Sequence, residues 1–205
     1  PERPSIPDEG DKEEPKPDED ENVTGTLAFE DIWPSGGDYD MNDVIVEYER
    51  KVYFDKKNIV TKIVDEFTPV HDGATYVNAF AYQIDAAQIG DKITLPEGAI
   101  LEKETSSIIV MSNAKQNIGN KYVVTREFNG SFLKNQLLSY NPYIIVKYSQ
   151  GEQNRTEVHL PKHKATAYAN QSLIGSNDDA YYIDRKGAYP FAIDIPMLGF
   201  TPVTE

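Results

Sequence analysis

The chain has 205 residues, 39% of them hydrophobic, and a formal net charge of −14. A chain of this length can bury one substantial core, so we expect a single folded domain. The acidic balance argues against binding to nucleic acid, because phosphate contacts need clustered Lys and Arg, and the absence of cysteine excludes disulfides, thiolate metal sites and a cysteine nucleophile.

The first segment, residues 1–22, alternates proline with acidic side chains and carries ten acidic and three basic residues, a net charge of −7. It holds a single large aliphatic residue, Ile6, so it cannot bury enough apolar surface to offset the entropy of ordering. We predict a disordered, extended linker that follows a removed targeting segment, and a folded domain at residues 23–205. The linker is either a spacer that holds the domain away from a surface or a tail without that role.

The rest of the chain is rich in tyrosine, phenylalanine and β-branched residues, in short runs separated by turn residues. Residues 43–54 and 58–68 alternate apolar with polar side chains around a polar turn, which predicts a long β-hairpin. Residues 131–139 are ambiguous between a strand and helical turns, and residues 166–173 between a short helix and a turn. Further strands are predicted at 23–29, 76–84, 108–111, 122–128, 143–148, 156–160 and 191–195. This pattern predicts an all-β fold, an antiparallel β-sandwich or jelly roll.

The most distinctive segment lies between the first two predicted strands, where Asp38, Asp40 and Asn42 alternate on a glycine-containing loop. Calcium binds about six to eight oxygens from closely spaced carboxylates, amides and carbonyls, so the spacing predicts a calcium loop. The same residues are also suited to a rigid turn without an ion, because Asp and Asn bond to their own backbone. We expect Trp33, the only tryptophan, to anchor the loop through a buried indole.

The loop does not fit an EF-hand. The sixth position of that motif needs glycine, and here it is Asp43, followed by strand-forming residues. A strand from Val44 carries Glu49, the twelfth position, about 20 Å away, so Glu49 is not an expected ligand. Distant residues must therefore complete the site, and the predicted calcium ligands are Asp38, Asp40, Asn42, Asp43, Glu30, Asp31, Asp178 and Asp179.

Motifs for catalysis are weak. His159 and His163 have the separation of a helical zinc pair, but the proline between them and the strand-like run before them argue against a helix. We expect the three histidines to be solvated loop residues. The carboxylates leave a glycosidase pair open, because two catalytic acids can lie far apart in sequence. Tyr181, Tyr182 and Tyr189 could form a sugar-stacking platform, although aromatic residues more often pack in the core.

Residues 27–44 contain Phe-Glu-Asp-Ile-Trp-Pro followed by Gly-Asp-Tyr-Asp-Met-Asn-Asp. This segment resembles the signature of the LruC-type domain, a family of uncharacterised bacterial surface lipoproteins. Residues 157–161, 177–179 and 190–196 resemble the closing pattern of the same family. The resemblance implies a secreted, lipid-anchored β-domain on the surface of a Gram-negative cell, without an assigned reaction. Family members continue with an aromatic, glycine-containing tail where this chain stops, so we expect a C-terminal tail to be missing.

The sequence favours a non-catalytic, calcium-stabilised β-sandwich that is displayed outside the cell and acts in adhesion or in binding glycan or protein. Two alternatives stay open: a carbohydrate-active hydrolase that uses paired carboxylates, and a structural module of a larger surface assembly. The expected partners are a glycan or a surface protein. Nucleic acid is not expected as a partner, and contact with a membrane is expected only through the removed lipid anchor.

Overall fold

The computed structural model describes residues 19–130, 132–176 and 189–202, and these residues form eleven β-strands and no α-helix. Single turns of 3-10 helix lie at Ala86–Gln88, Lys115–Asn117, Lys134–Gln136 and Gln171–Leu173. The strands are β1 (Glu19–Phe29), β2 (Val44–Phe54), β3 (Val60–His71), β4 (Ala79–Gln83), β5 (Lys92–Thr94), β6 (Ile100–Glu102), β7 (Ser107–Met111), β8 (Tyr122–Glu127), β9 (Asn141–Val146), β10 (Thr156–His159) and β11 (Ala192–Ile195).

The strands form two sheets. One sheet has the order β11-β1-β2-β3-β8-β5, and the other has the order β10-β9-β4-β7-β6. Within each sheet, neighbouring strands are antiparallel. The fold is an antiparallel β-sandwich, which confirms the fold class that the sequence predicted. Within the described residues, no helix is long and apolar enough to cross a membrane.

The core fills the space between the two sheets. Side chains along a strand point alternately to opposite faces, so Val44 and Val46 of β2 and Phe67 of β3 share the inner face and are buried. Phe67 packs against Phe80 and Tyr82 of the opposite sheet, with ring centroids 5.1 and 5.0 Å apart. Burial of such side chains stabilises the fold by roughly 1.5–3 kcal/mol each.

The hairpin predicted from alternation is β2 and β3. Asp55 fixes its turn, because the Asp55 carboxylate accepts hydrogen bonds from the backbone N–H groups of Lys57 at 2.8 Å and Ile59 at 2.9 Å. The strand predicted at 23–29 begins earlier, at Glu19, where the backbone pairs with Phe54 at the far end of β2. Residues 1–18 of the predicted linker lie outside the described residues.

The structure contains two short strands that the sequence did not predict, and it assigns both segments that were ambiguous from the sequence. Strands β5 and β6 have three residues each, too few for an alternating pattern to show. In the ambiguous segments at 131–139 and 166–173, the structure has 3-10 turns at Lys134–Gln136 and Gln171–Leu173. Each sheet therefore contains short strands that depend on pairing with a longer neighbour for their position.

Candidate metal centre

The acidic loop, residues 30–43, connects β1 to β2 at one end of the sandwich. Its start is tied to the strand edge, because Glu30 donates its backbone N–H to the carbonyl oxygen of Phe191 at 2.8 Å. Trp33 is 4% exposed and packs in the core, which confirms the predicted indole anchor. The Tyr39 ring packs against the rings of Tyr189 and Phe191, with centroids 5.4 and 5.2 Å apart.

The backbone of the loop is strained at alternate positions. Tyr39 and Met41 have φ angles of 55° and 57°, in the left-handed region that costs residues other than glycine on the order of 1–3 kcal/mol each. Strain of this kind persists where surrounding contacts over-determine the conformation. Other interactions of the loop must therefore offset this cost.

Three of the predicted ligands form a compact cluster. One carboxylate oxygen from each of Glu30, Asp38 and Asp40 lies within 4.8 Å of the others. Calcium–oxygen distances are about 2.3–2.6 Å, so two oxygens on opposite sides of one ion lie about 5 Å apart. The spacing of these three oxygens fits a single bound cation.

Glu30 is the buried member of this cluster, with 2% of its surface exposed. One of its carboxylate oxygens accepts a hydrogen bond from the backbone N–H of Met41 at 2.5 Å. Burial, together with repulsion from Asp43, Asp40 and Asp38, raises the pKa of Glu30 to about 7. A positive ion at this position would reverse that shift, because it favours the ionised carboxylate.

Asn42 links the acidic loop to a second loop. Its side-chain amide donates to an Asp40 carboxylate oxygen, and its backbone carbonyl accepts a hydrogen bond from the N–H of Gly73 at 3.0 Å. A Cβ atom at Gly73 would lie 2.9 Å from Asn42 Oδ1 and 3.0 Å from the Asn42 carbonyl oxygen. The close approach of the two loops therefore depends on glycine at this position.

The other two predicted loop ligands, Asp31 and Asp43, bond to each other, and Asp31 also bonds to Asn78. The backbone N–H of Asp31 donates to Asp43 Oδ2 at 2.8 Å, and the Asn78 amide donates to Asp31 Oδ2 at 2.8 Å. Asp31 and Asn78 are 4% and 0% exposed. Burial and repulsion from Asp31 and Asp38 raise the pKa of Asp43 to about 6.

Two oxygen-bearing residues at this end of the sandwich were not predicted as ligands from the sequence. The Asp72 side chain is fully buried, and neither of its carboxylate oxygens accepts a hydrogen bond of normal geometry within the described residues. Asn78 Oδ1 is likewise buried without a partner there. Burial raises the pKa of Asp72 to about 6, although Lys115, with Nζ 3.9 Å from Oδ1, acts in the opposite direction. Buried acceptors without partners call for an ion or an ordered water.

A turn signal marked one of these residues, since Asp72 precedes Gly73 directly after a strand. Such a signal indicates a turn and says nothing about proximity to residues 30–43. Asp178 and Asp179, which the sequence placed in the ligand set, lie outside the described residues, so their meeting with the loop stays a prediction. Glu49 lies on β2, where it bonds to Asn22 at 2.8 Å and Lys51 at 3.0 Å.

The expectation of solvated histidines is wrong for His159. This residue is 1% exposed, stacks on Tyr143 at 4.4 Å, and places its ring nitrogens 2.9 Å from Glu157 Oε2 and 2.7 Å from Asn141 Oδ1. Burial lowers the pKa of His159, although Glu157 acts in the opposite direction. The segment after β10 returns over this face, where the Thr166 hydroxyl donates to Glu157 at 2.7 Å.

A cleft between the two sheets, with a volume of about 300 Å³, is lined in part by two further carboxylates, Asp65 and Asp194. Asp65 accepts a hydrogen bond from the Tyr140 hydroxyl at 2.6 Å, and Asp194 accepts one from the Tyr48 hydroxyl at 3.1 Å. Both carboxylates are therefore engaged in hydrogen bonds. Of the proposed sugar-stacking tyrosines, Tyr189 is 65% exposed, and residues 181 and 182 lie outside the described residues.

A family model described as a domain of unknown function, DUF4842, matches residues 58–205. The matched region begins within the β2–β3 turn, includes Asp72 and Asn78, and leaves out the acidic loop. No curated protein and no solved structure gives a significant match to the chain.

Proposed function

The chain belongs to the DUF4842 family of domains of unknown function, and from this premise we propose that it is a non-catalytic binding module whose acidic loop holds a calcium ion. The observation that carries this proposal is the cluster of Glu30, Asp38 and Asp40, with oxygens within 4.8 Å of one another. The ligands are hard oxygens without histidine or cysteine, which suits calcium rather than zinc or copper.

The charge balance around the loop supports a bound cation. Asp31, Asp43 and Asp72 lie next to the cluster and repel its members or one another. Within the described residues, the only ion pair formed by these six carboxylates is the contact of 3.9 Å between Asp72 and Lys115. Buried carboxylates without compensating charge are expensive. A divalent ion would neutralise part of this charge and offset the backbone strain at residues 39 and 41.

The ion would have a structural role. It would hold the loop between β1 and β2 against the sandwich, since its candidate ligands Glu30 and Asp40 lie at the two ends of the loop. A ligand present at about 100 times its dissociation constant stabilises a fold by about 2.7 kcal/mol. Calcium should therefore raise the melting temperature by several degrees.

A half-buried and an exposed aromatic ring beside the loop support a binding role. Tyr39 and Tyr189 pack with ring centroids 5.4 Å apart, and Tyr189 is 65% exposed. An aromatic face next to a cation and carboxylates is suited to a sugar ring, which stacks on the face and bonds through its hydroxyl groups. We therefore take a glycan as the first candidate ligand and a surface protein as the second.

The cellular location is a further part of the proposal. The likeness of residues 27–44 to the LruC-type signature supports display on a bacterial surface through an upstream lipid anchor. Fractionation of cells that make the full-length precursor tests this part. Recovery in the outer membrane supports it, and recovery in the cytoplasm contradicts it.

Calorimetric scans in calcium and in chelator test the calcium role. Wild type and the control variant Glu97→Ala, which changes an exposed residue, should melt at a higher temperature in calcium. Asp40→Ala should remove most of that increment. Equal melting temperatures in calcium and chelator would contradict the proposal.

A glycan array in calcium tests the binding role. Tyr189→Ala should lose binding while it keeps the calcium increment, and Tyr76→Ala, at another exposed tyrosine, should bind as wild type does. Unchanged binding by Tyr189→Ala would place the glycan elsewhere.

A further inference from the structure

The cleft between the two sheets is a second candidate site, separate from the acidic loop. Its volume of about 300 Å³ lies at the lower end of the range for small-molecule pockets. Strands β1, β2 and β3 line one wall, and β4, β9 and the residues after β10 line the other. Most of the lining side chains are apolar or aromatic, among them Val23, Leu27, Tyr48, Phe67, Tyr82, Tyr140, Pro142 and Leu160.

At the floor of the cleft, Asp65 lies between two arginine side chains, of which Arg50 lines the cleft. Asp65, which is 1% exposed, is 3.3 Å from Arg126 Nη2 and 3.4 Å from Arg50 Nε. The Tyr140 hydroxyl also bonds to Asp65, at 2.6 Å. Two guanidinium groups therefore share one carboxylate, a local formal charge of +1 that the carboxylate of Asp194 offsets in the cleft as a whole.

The two arginines also have unused hydrogen-bond donors. Arg50 Nη2 and Arg126 Nε are buried and have no hydrogen-bond partner within the described residues. Arg50 lines the cleft, and its guanidinium group lies over the Tyr140 ring. A buried donor without an acceptor costs about 1–3 kcal/mol. An acceptor on a bound molecule would relieve that cost.

The carboxylates at the cleft already have partners of their own. The Tyr48 hydroxyl donates to both oxygens of Asp194, at 3.1 and 3.3 Å. Tyr48 can reach across β1 because Gly25 has no side chain there: a Cβ atom would lie 2.5 Å from the Tyr48 hydroxyl oxygen. Glu49 pairs with Lys51 at 3.0 Å. The remaining selective group is the guanidinium of Arg50.

We propose that this cleft binds a small amphiphilic carboxylate, with its acid group on Arg50 and its apolar body against Leu27, Phe67 and Leu160. A carboxylate supplies the acceptor that Arg50 Nη2 lacks, and guanidinium groups bind carboxylates through two parallel hydrogen bonds. The apolar lining provides the second half of the recognition by removing a hydrocarbon chain from water. This site does not depend on the calcium role of the acidic loop.

Calorimetric titration of the full chain with octanoate tests the charge requirement, with octylamine as a probe of the same length and opposite charge. Acetate tests the need for the apolar body. Octanoate should bind, whereas octylamine and acetate should bind on the order of tenfold or more weakly. Equal binding of octanoate and octylamine, or no binding of octanoate, would overturn the proposal.

Variants test the position of the ligand. Arg50→Met keeps the apolar stem of the side chain and removes its donors, so octanoate should bind on the order of tenfold or more weakly. Lys103→Met is the control, because Lys103 is exposed and does not line the cleft. Unchanged binding by a folded Arg50→Met would overturn the proposal.

A second variant covers the case in which Arg50→Met fails to fold. Val23 lines the cleft and is 46% exposed, so Val23→Trp places bulk at the opening without removing a core side chain. Octanoate binding should fall on the order of tenfold or more in this variant. Full octanoate binding by Val23→Trp would overturn the assignment to this cleft.

Discussion

Gly73 donates its backbone N–H to the carbonyl oxygen of Asn42 at 3.0 Å. This bond ties the loop between β3 and β4 to the acidic loop between β1 and β2. Asp72, the residue before Gly73, is thereby held near Asp31. Repulsion between the two carboxylates is part of what raises the pKa of Asp72. The candidate metal centre is therefore built by two loops that are distant in sequence.

Gly73→Ala should destabilise this contact, because the added Cβ would lie 2.9 Å from Asn42 Oδ1 and 3.0 Å from the Asn42 carbonyl oxygen. Overpacking of this kind costs about 1–3 kcal/mol. Urea denaturation should show that loss in the free energy of unfolding. The increase in this free energy on addition of calcium should also be smaller than in wild type. Glu97→Ala controls for a change at an exposed site, and wild-type stability of Gly73→Ala would show that the two loops do not approach this closely.

Three carboxyl groups in or near the acidic loop should destabilise the calcium-free protein as pH rises. Burial raises the pKa of Glu30 to about 7 and of Asp43 and Asp72 to about 6, from ordinary values of 4.5 and 3.8. Between about pH 4 and pH 7 these three carboxyl groups thus bind more protons in the folded state than in the unfolded state, so their contribution to the free energy of unfolding decreases across that window. The lowered pKa values of Glu157 and His159 act in the opposite direction but do not depend on calcium.

Urea denaturation in chelator at several pH values measures this trend. Calcium should reverse it, because the ion favours the ionised carboxylates, and the difference between calcium and chelator should grow with pH. A difference between calcium and chelator that does not grow from pH 4 to pH 7 would contradict the proposed role of these carboxylates.

Asp72→Asn should raise the melting temperature in chelator and reduce the gain in melting temperature that calcium gives. In chelator at neutral pH it removes a buried charge whose oxygens accept no hydrogen bond of normal geometry in the described structure, so the melting temperature should rise. In calcium the increment should be smaller than in wild type. Glu97→Gln is the control at an exposed carboxylate, and a full calcium increment in Asp72→Asn would separate Asp72 from the metal centre.

Glu157→Ala should be strongly destabilising. Glu157 is 0% exposed at its side chain and lies 2.7 Å from Arg155 Nε and 2.9 Å from His159 Nε2. Removal of one partner from a buried charged network costs about 3–5 kcal/mol, because the other charges stay buried. Urea denaturation measures the loss, with the exposed Glu104→Ala as the control, and a loss below about 1 kcal/mol would contradict a tightly bonded network.

The local parts of the fold were predictable from the sequence. The β2–β3 hairpin follows from alternation along two long strands and from the Asp55 turn, whose hydrogen bonds join residues close in sequence. The burial of Trp33 was also expected. Strands β5 and β6 were not found, because three residues carry no usable period.

The tertiary parts were not predictable. His159 lies in a strand that the sequence predicted and was expected to face solvent, yet Thr166 folds back to bond Glu157 and covers that face. Asp72 and Asn78 lie on the connection from β3 in one sheet to β4 in the other. A single sequence does not show where that connection lies relative to the acidic loop. Spacing identifies candidate ligands within one loop, whereas long-range packing decides which of them meet.

The most direct test of the calcium site is a crystal structure of the chain grown in calcium. The account predicts density for an ion among Glu30, Asp38 and Asp40, with about six or more oxygens at about 2.3–2.6 Å. Ordered side chains at these positions with no ion among them, in crystals that contain millimolar calcium, would contradict it.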